Sequence, residues 1–460
     1  MKLRDYQEKA VIAAIETINS TKSKNGLLVL PTGTGKSHVI AEIVRRSELK
    51  TIILQPTKEI LEQNLNKLRL SGIEDIGVFS ASMGEKTVGQ VTIATIGTII
   101  KQKHRFSEYD LIIVDEAHLV NSKGGMYEEF ISGLGKPVIG LTATPFRMKY
   151  YRNSYGNDEP VVESRFLTRT RPRIFNTIIH ITQIPEMFQH GYLCPVEYDY
   201  ENDYDSKKIR SNSTGQGYDE NSLMRYNTEK NIPGQIIDNV ILSEAQHILI
   251  FTHFMEESQQ VIEGLMKRGI VCHEVSGQTK KKDRENILDD FKSGKIRCVV
   301  NVGVLTVGFD FPELDHIIIG RPTKSLSLFY QICGRGLRPA NEKEKCIITD
   351  LCDNIKRFGE INSFEIYDYS DGNELWRLKS NIGNLTGVNL NNGDDLEQRQ
   401  MATHREKEAA KTGDLTIPFG KHRGTKITDI DDGYMQWAVD NFDNGKWKTI
   451  FKNELARRAS

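Results

Sequence analysis

A glycine-rich turn near the N-terminus carries the first residues whose types could do chemistry. It follows the apolar run at residues 27–30 and precedes a helical pattern at 41–46, and it consists of Thr32, Gly33, Thr34, Gly35, Lys36 and Ser37. In such a turn, backbone N–H groups and the helix N-terminus cradle phosphates, the lysine reaches the β- and γ-oxygens, and the serine ligates Mg²⁺. The strict pattern has glycine where this chain has Leu30. The turn predicts a site for a nucleoside triphosphate with Mg²⁺.

Two adjacent acids supply the second group. Asp115 and Glu116 directly follow an apolar run at residues 111–114. Each acid alone is more often a helix cap or a solvated carboxylate, but an apolar run ending in acids is typical of a buried strand that presents side chains to a ligand. Asp115 is then suited to hold Mg²⁺, and Glu116 to activate an attacking water.

A third group lies more than 200 residues further on. It contains Gln331, Arg335 and Arg338. Hydrolysis of a triphosphate spreads negative charge over the γ-phosphate oxygens, and planar guanidinium groups can meet that charge with paired hydrogen bonds. Because the two arginines are three residues apart, a helix would place them on one face.

Further motifs in the same order make the chain resemble the superfamily two helicases. Residues 115–118, Asp-Glu-Ala-His, match the DEAH form of that family's acidic box, and residues 142–145, 301–312 and 331–338 match later motifs. The resemblance implies two domains that share one ATP site, with the second domain completing the site when the two close. It also implies that arginine fingers fit both Arg335 and Arg338, with Arg338 the preferred one, and that Gln331 lies near the γ-phosphate.

The resemblance assigns roles to further residues. The nucleotide contacts it implies are Arg4, Gln7, Thr32, Gly33, Thr34, Gly35, Lys36, Ser37, Gly308 and Asp310. Magnesium would be held by Ser37 and Asp115. Coupling of hydrolysis to movement would involve His118, Thr142 and Thr144, and the nucleic acid would contact Pro56, Thr57, Thr95 and Thr306.

Three segments are more distinctive than these motifs. Residues 140–147, 190–195 and 321–331 resemble RadD-like DNA repair helicases and, nearby, phage branch-migration helicases of the UvsW kind. RadD-like proteins carry a cysteine-rich zinc region beyond the motor. This chain has no such region, because its six cysteines form no CxxC pair.

The elements that must position these residues repeat twice. Short apolar, β-branched runs separated by helical or loop segments recur between residues 27 and 141 and again between 248 and 349. This alternation predicts an α/β fold with two tandem RecA-like parallel-sheet domains and a small C-terminal α+β module. The predicted boundaries are 1–145 for the first domain, 146–235 for a connector, 236–375 for the second domain, 376–413 for a linker and 414–460 for the module.

Local charge suggests where a nucleic acid would bind. The whole chain is nearly neutral, with a formal net charge of −1, but the connector carries a tight basic group formed by Arg165, Arg169, Arg171 and Arg173, of which the last three are the candidate nucleic-acid contacts. Together with nearby tyrosines, this group is suited to phosphate contacts and base stacking, although a solvated basic loop is the plainer interpretation.

The C-terminal module offers a second basic segment. It resembles the small module at the C-terminus of exodeoxyribonuclease X, and its Lys421 and Arg423 are candidate nucleic-acid contacts. The glycines at 420 and 424 suggest a hairpin, followed by one or two helices. The alternative is that Trp437 and Trp447 are core residues and the basic residues form a solvated face.

These observations predict an ATP-driven DNA helicase or translocase that unwinds or branch-migrates forks and junctions in replication, recombination or repair. An RNA helicase, the motor subunit of a restriction system and an ATP-gated DNA clamp or annealing factor remain alternatives. We expect a monomer acting on single-stranded, forked or branched DNA, with a single-stranded DNA-binding protein as a further candidate partner. The chain shows neither an apolar stretch of about 20 residues nor a signal-peptide pattern. The expected location is the cytoplasm of a bacterial cell or phage-infected host, with no membrane partner.

Overall fold

The first domain is a mostly parallel sheet covered by helices. The structure, a computed structural model, describes residues 3–20, 25–152, 160–305, 309–370, 375–389, 396, 417, 420–441 and 446–459. The first sheet contains β1 (Gly26–Val29), β2 (Thr51–Gln55), β3 (Ile76–Ser80), β4 (Glu85–Lys86), β5 (Val91–Thr95), β6 (Leu111–Val114), β7 (Val138–Thr142) and β10 (Thr177–Ile181). The strand order is β10-β1-β7-β6-β2-β5-β3-β4, and only β4 runs antiparallel to its neighbour.

The strands of this sheet are short apolar runs because both of its faces are covered. The central strands β1, β2, β6 and β7 are buried along their whole length. The helices of this half are α1 (Asp5–Asn19), α2 (Lys36–Ser47), α3 (Lys58–Leu70), α4 (Ile96–Ile99) and α5 (Met126–Leu134).

A second sheet forms the other half and is parallel throughout. It contains β11 (Val196–Asp199), β12 (Ile248–Thr252), β13 (Cys272–Ser276), β14 (Cys298–Val302), β15 (His316–Gly320) and β16 (Cys346–Asp350), in the order β11-β16-β15-β12-β14-β13. The helices from this part of the chain are α6 (Ile184–Gln189), α7 (Glu220–Glu229), α8 (Ile232–Leu242), α9 (Met255–Met266), α10 (Lys281–Lys292), α11 (Leu326–Cys333) and α12 (Asn354–Phe358). The two predicted RecA-like domains are thereby confirmed, each as a parallel or mostly parallel sheet with helices.

The interval 146–235, expected to be a connector, contributes to both sheets. Its strand β10 pairs in parallel with β1, and β11 pairs in parallel with β16. These strands escaped notice because each lies at a sheet edge, where polar residues interrupt the apolar pattern. The same interval also holds β8 (Phe146–Arg152) and β9 (Pro160–Phe166), which form a two-stranded sheet.

The predicted linker at 376–413 also begins with regular structure. The strands β17 (Glu365–Asp368), β18 (Trp376–Ser380) and β19 (Gly383–Asn384) form a small antiparallel sheet. A linker starting at residue 376 is therefore wrong for its first residues. The short strand was hidden by the Asn- and Gly-rich sequence that follows it.

The chain divides into two compact units. The first comprises Met1–Met148, Ser164–Ser213 and Gly217–Thr386, and it holds both parallel sheets. The second comprises Lys149–Glu163, Thr214–Gln216 and Gly387–Ser460. In the second unit, helices α13 (Asp432–Asn441) and α14 (Lys446–Ala459) pack around a small core of Ile417, Ile427, Ile430, Met435, Ala438 and Phe451.

Of the predicted hairpin of the C-terminal module, the described residues show two backbone hydrogen bonds at its base and a 3₁₀ helix at Gly420–His422. The N–H of Ile417 donates to the Thr425 carbonyl at 2.9 Å, and the N–H of Gly424 donates to the Ile417 carbonyl at 2.7 Å. The expected helices are present. Trp437 is 52% exposed, so the alternative that placed it in the core is wrong for this residue. Among the described residues, no helix is both long enough and apolar enough to cross a membrane.

Candidate active site

Three neighbouring strands of the first sheet bring the predicted catalytic groups to one edge. The phosphate-binding turn follows β1, Asp115 and Glu116 follow β6, and Thr142 ends β7 between them. The carboxyl ends of parallel strands lie at the same edge of a sheet, which is where ligands bind in open α/β folds. The turn needs glycine because Gly33 and Gly35 adopt φ values of 83° and 77°.

Glu116 lies between the side chains of Lys36 and His118. Its Oε1 lies 3.6 Å from Lys36 Nζ, and its Oε2 lies 3.3 Å from His118 Nδ1. Burial acts to raise the pKa of Glu116, but the charge of Lys36 and the hydrogen bond with His118 outweigh burial and hold the pKa below its usual range. The Glu116 backbone has a φ of 50°, a left-handed conformation that is strained for a non-glycine residue and typical of functional sites. The residue is ionised and held in place.

Asp115 lies in a different environment from its neighbour. Its Oδ2 accepts a hydrogen bond from Asn64 Nδ2 at 2.9 Å, and its Oδ1 accepts one from the Glu116 backbone N–H at 2.9 Å. Burial, and then the negative charge of Glu116, raise the pKa of Asp115 above its ordinary value. Two buried carboxylates beside the predicted phosphate-binding turn form a site that favours the binding of a cation.

These residues fit a magnesium ion. Mg²⁺ prefers oxygen ligands and commonly uses one or two protein oxygens together with substrate phosphates. Ser37 is the second residue of α2, and it lines the same cleft as Asp115. Asp115, whose pKa is raised above its ordinary value, is thus the carboxylate that the sequence assigned to the metal.

The second sheet supplies the remaining catalytic candidates through the segment after β15. Gln331 lies on α11, and its Nε2 is 3.1 Å from His118 Nε2. Since the amide donates to Nε2, the imidazole proton is on Nδ1, which faces Glu116 Oε2 and, at 3.1 Å, Thr142 Oγ1. The contact joins the two halves of the molecule through the predicted coupling residues, while Thr142 Oγ1 also accepts from the Thr144 N–H at 3.1 Å.

Arg335 and Arg338 lie in the loop after α11, not on a helix face as expected. The helix ends at Cys333, and the chain continues in turns in which the Arg335 N–H donates to the Ile332 carbonyl at 3.2 Å and the Gly336 N–H donates to the Cys333 carbonyl at 3.0 Å. Burial, and then repulsion from Arg338, lower the pKa of Arg335 to about 10, so it remains charged at neutral pH. Arg338 forms an ion pair with Asp310, a predicted nucleotide contact.

A single cleft of about 390 Å³ joins these groups. The predicted residues that line it are Arg4, Thr32, Gly33, Gly35, Lys36, Ser37, Asp115, Glu116, Thr144, Asp310, Gln331, Arg335 and Arg338. The structure therefore brings the nucleotide, metal and arginine candidates from both halves around one space. Gly308 and Thr306 lie outside the described residues.

Gln7 does not line this cleft. Its Nε2 donates to the Thr34 carbonyl at 2.9 Å, and its Oε1 accepts from the Arg4 N–H at 2.9 Å. Its side chain thus anchors the phosphate-binding turn from behind. Arg4 does reach the cleft, where its guanidinium carbon lies 4.7 Å from the centre of the Tyr192 ring.

Sequence reasoning missed several residues of the site. Tyr192 lines the cleft beside Arg4, Asn64 orients Asp115, and the hydroxyl of Tyr330 accepts from the Thr32 N–H at 3.4 Å. Tyr192 lies within residues 190–195, a segment that the sequence marked as distinctive without assigning it a role. Tyr330 likewise lies within the distinctive segment 321–331, but the contacts of Asn64 and Tyr330 could not be found from sequence, because their partners are 51 and 298 residues away.

Three of the predicted nucleic-acid contacts lie at one edge of the first sheet. Pro56 and Thr57 follow β2, and Thr95 ends β5, so these three lie at the same sheet edge as the cleft. Thr57 also caps α3, because its side chain accepts from the Ile60 N–H at 3.4 Å.

The basic candidates are divided between the two units: Arg169, Arg171 and Arg173 belong to the first, and Lys421 and Arg423 to the second. Arg171 and Arg173 are exposed and Arg169 is half-buried. Lys421 and Arg423 are exposed in the second unit, where Lys421 Nζ lies 5.1 Å from the centre of the Tyr434 ring.

Two family models match the chain, one on each half. Residues 1–147 match the model described as "Type III restriction enzyme, res subunit", and residues 234–340 match "Helicase conserved C-terminal domain". The chain belongs to the superfamily two helicases. Its matched domains are those of an ATP-hydrolysing helicase enzyme, and proteins of this superfamily use ATP with Mg²⁺.

Two curated relatives extend over most of the chain. "Putative ATP-dependent helicase IRC3" of Saccharomyces cerevisiae is 27% identical over 76% of this chain and 51% of its own length. "DNA 3'-5' translocase XPB2" of Sulfurisphaera tokodaii is 24% identical over 76% of this chain and 81% of its own length. The chain thus spans about half the length of the yeast relative.

A solved structure shares the fold. The "ATP-dependent Type ISP restriction-modification enzyme LlaBIII bound to DNA" aligns with a TM-score of 0.56 at 18% identity, covering 76% of this chain and 28% of that protein. This likeness concerns the fold alone.

Proposed function

We propose that this protein is an ATP-dependent DNA helicase or translocase that couples ATP hydrolysis to movement on DNA, and that it unwinds or branch-migrates forks and junctions. The observation that carries the proposal is the shared cleft. Lys36, Asp115 and Glu116 of the first sheet face Gln331 and Arg338 of the second across one space. A site divided between two α/β halves can open and close with nucleotide state, which is what a motor requires.

The chemistry follows from the geometry. Lys36 leaves its ion pair with Glu116 to meet the β- and γ-phosphates, and the freed carboxylate then orients and deprotonates the attacking water. A magnesium ion held by Ser37 and Asp115 would neutralise charge on the phosphate oxygens. Arg338 leaves Asp310 to stabilise the charge that develops on the γ-phosphate.

Coupling between the halves rests on the His118–Gln331 contact. His118 touches the proposed base on one side and the second domain on the other, at 3.3 Å and 3.1 Å. When hydrolysis removes the γ-phosphate, Glu116 and Lys36 can pair again. The resulting change in the position of His118 is then felt directly by α11.

The test is DNA-stimulated ATP hydrolysis by Lys36→Ala, Glu116→Gln and Arg338→Ala. Each variant is expected to lose about 10²-fold or more of kcat while its melting temperature stays close to that of the unmodified protein. Lys281→Ala, which removes an exposed lysine paired with Glu285 on α10, is the matched control and keeps full activity. Full activity in a folded Glu116→Gln protein would refute the assignment.

DNA is the proposed substrate because exposed arginines border the first domain and because one relative is named a DNA translocase. Arg171 and Arg173 are positioned to contact phosphates. Strand displacement assays on forks, four-way junctions and matched RNA duplexes address the choice. Preference for RNA duplexes would replace this proposal with an RNA helicase, and a biological role that survives Lys36→Ala would favour an ATP-gated clamp or annealing factor.

A restriction-system motor is a second candidate, favoured by the family model matched over residues 1–147. Such a motor translocates on duplex DNA without separating strands. Displacement of a triplex-forming oligonucleotide from duplex DNA, with no unwinding of forks, would support it. Unwinding of forks would support the helicase, and the direction of tracking on a single strand would show whether movement is 3'→5'.

A further inference from the structure

Lys343 lies outside every motif that the sequence identifies, on the turn between α11 and β16. Its Nζ donates three hydrogen bonds, to the carbonyl oxygens of Pro312 at 3.0 Å, Gly336 at 2.7 Å and Arg338 at 3.0 Å. An ammonium group has three donors and no acceptor, so these three carbonyls use its full capacity.

Two of these carbonyls, those of Gly336 and Arg338, belong to the loop that follows α11. Residues 334–339 form turns and irregular backbone after the end of α11. The carbonyl of Leu337, between the two that Lys343 holds, accepts from the Cys194 N–H at 2.8 Å. Three consecutive carbonyls from Gly336 to Arg338 are therefore fixed by donors from elsewhere in the chain, two of them by Lys343.

The third bond of Lys343 reaches a second segment. Pro312 closes the stretch that contains Asp310, whose carboxylate pairs with the Arg338 guanidinium. Phe309 in the same stretch accepts from Arg335 NH1 at 2.6 Å. Lys343 thus joins, through the backbone, the two segments that hold both arginines through their side chains.

We propose that Lys343 is a positioning residue for the arginine finger: it holds the Gly336–Arg338 loop against the Pro312 segment so that Arg338 points into the nucleotide cleft. The inference rests on the proposed function of Arg338. Without the ammonium, the negative ends of three carbonyl dipoles would lack a donor and the two segments could separate. A guanidinium displaced by even an ångström stabilises the transition state much less.

The experiment compares the Lys343→Met variant with the unmodified protein in DNA-stimulated ATP hydrolysis. We expect kcat to fall about 10-fold or more while KM for ATP changes less than about threefold, because the interaction lost acts in the transition state. Lys345→Met is the matched control. It removes a lysine two residues away that pairs with Glu197 on the surface, and it should leave both constants unchanged.

A double-mutant cycle distinguishes positioning from a general structural role. In an Arg338→Ala background, Lys343→Met should lower kcat by less than about twofold further, because its effect passes through the missing guanidinium. If the two losses multiply, or if Lys343→Met alone keeps full kcat, the proposal is overturned. Should Lys343→Met fail to melt cooperatively, the same cycle is run with Lys343→Arg, whose planar guanidinium keeps the charge but cannot direct three donors at converging carbonyls.

The two levels of inference fail separately. If Arg338→Ala itself keeps full ATPase activity, the proposed role of Arg338 is wrong. If Arg338→Ala is inactive while Lys343→Met is fully active, only the role of Lys343 is wrong.

Discussion

Gly336 gives a sharp test of how the arginine loop is placed. A Cβ added at this position would lie 2.3 Å from Cys346 Sγ and 3.1 Å from Ile317 Cδ1. Both neighbours belong to strands of the second sheet, β16 and β15, and both are fully buried. Gly336→Ala therefore presses the loop against a layer that has no free space.

The magnitude follows from these distances. Carbon and sulfur atoms in contact lie about 3.5–4.0 Å apart, so the loop or the strand must shift by more than about 1 Å. Overpacking of this kind typically costs about 1–3 kcal/mol. The loop should move rather than the central strand, because β16 is held by hydrogen bonds on both sides. Arg338 lies two residues further on, so we expect kcat for ATP to fall about 10-fold or more.

The assay is DNA-stimulated ATP hydrolysis with a melting curve for each variant. Gly133→Ala on α5 is the control, since its added Cβ would meet only the flexible end of Lys103 at 3.4 Å. Cys346→Ala removes the nearest atom and should restore part of the activity of Gly336→Ala. An active and fully stable Gly336→Ala protein, or one that Cys346→Ala does not improve, would contradict the reasoning.

Three further predictions concern charge. Burial raises the pKa of Asp115 in the folded protein, so the folded state loses stability as pH rises above the pKa that Asp115 has in the unfolded chain. Without nucleotide or Mg²⁺, Asp115→Asn should therefore have a higher melting temperature than the unmodified protein between pH 4 and 7. A pH-independent difference would contradict this. Burial lowers the pKa of His316 to about 4, so the unfolded chain binds the proton more tightly than the folded protein does. Up to about 3 kcal/mol of stability should therefore be lost as pH falls from 6.5 towards 4. His316→Gln should reduce that loss in acid melting curves. In the predicted connector, alanine is substituted for Arg169, Arg171 and Arg173. The substitutions should weaken DNA binding and flatten its salt dependence. Unchanged binding across a salt series would exclude this surface as a DNA contact.

The strands that carry the site were predictable because their signal is local. The run at 111–114 forms β6 with the same bounds, and the run at 27–30 overlaps β1 over residues 27–29. Edge strands were not predictable in this way. The sequence of β11 alternates partly buried and exposed positions, so its membership in the second sheet depends on pairing with β16, about 150 residues away.

The same division applies to the arginines. Their presence near a glycine pair was evident in the sequence, but a spacing of three predicts a shared helix face only if the helix continues. It ends at Cys333, and the positions of Arg335 and Arg338 are set instead by contacts with Phe309, Asp310 and Lys343.

By itself, the sequence predicted the chemistry: a turn suited to bind phosphates, two acids after a buried strand, and two arginines that could meet a γ-phosphate. These are local patterns, because backbone conformation and strand burial depend on near neighbours. Only the tertiary structure decided that Glu116 is paired with Lys36, that His118 links it to Gln331, and that Lys343 holds the arginine loop. Those contacts join residues from separate strands and from both sheets, and their existence depends on how the sheets pack, which short-range sequence patterns do not encode.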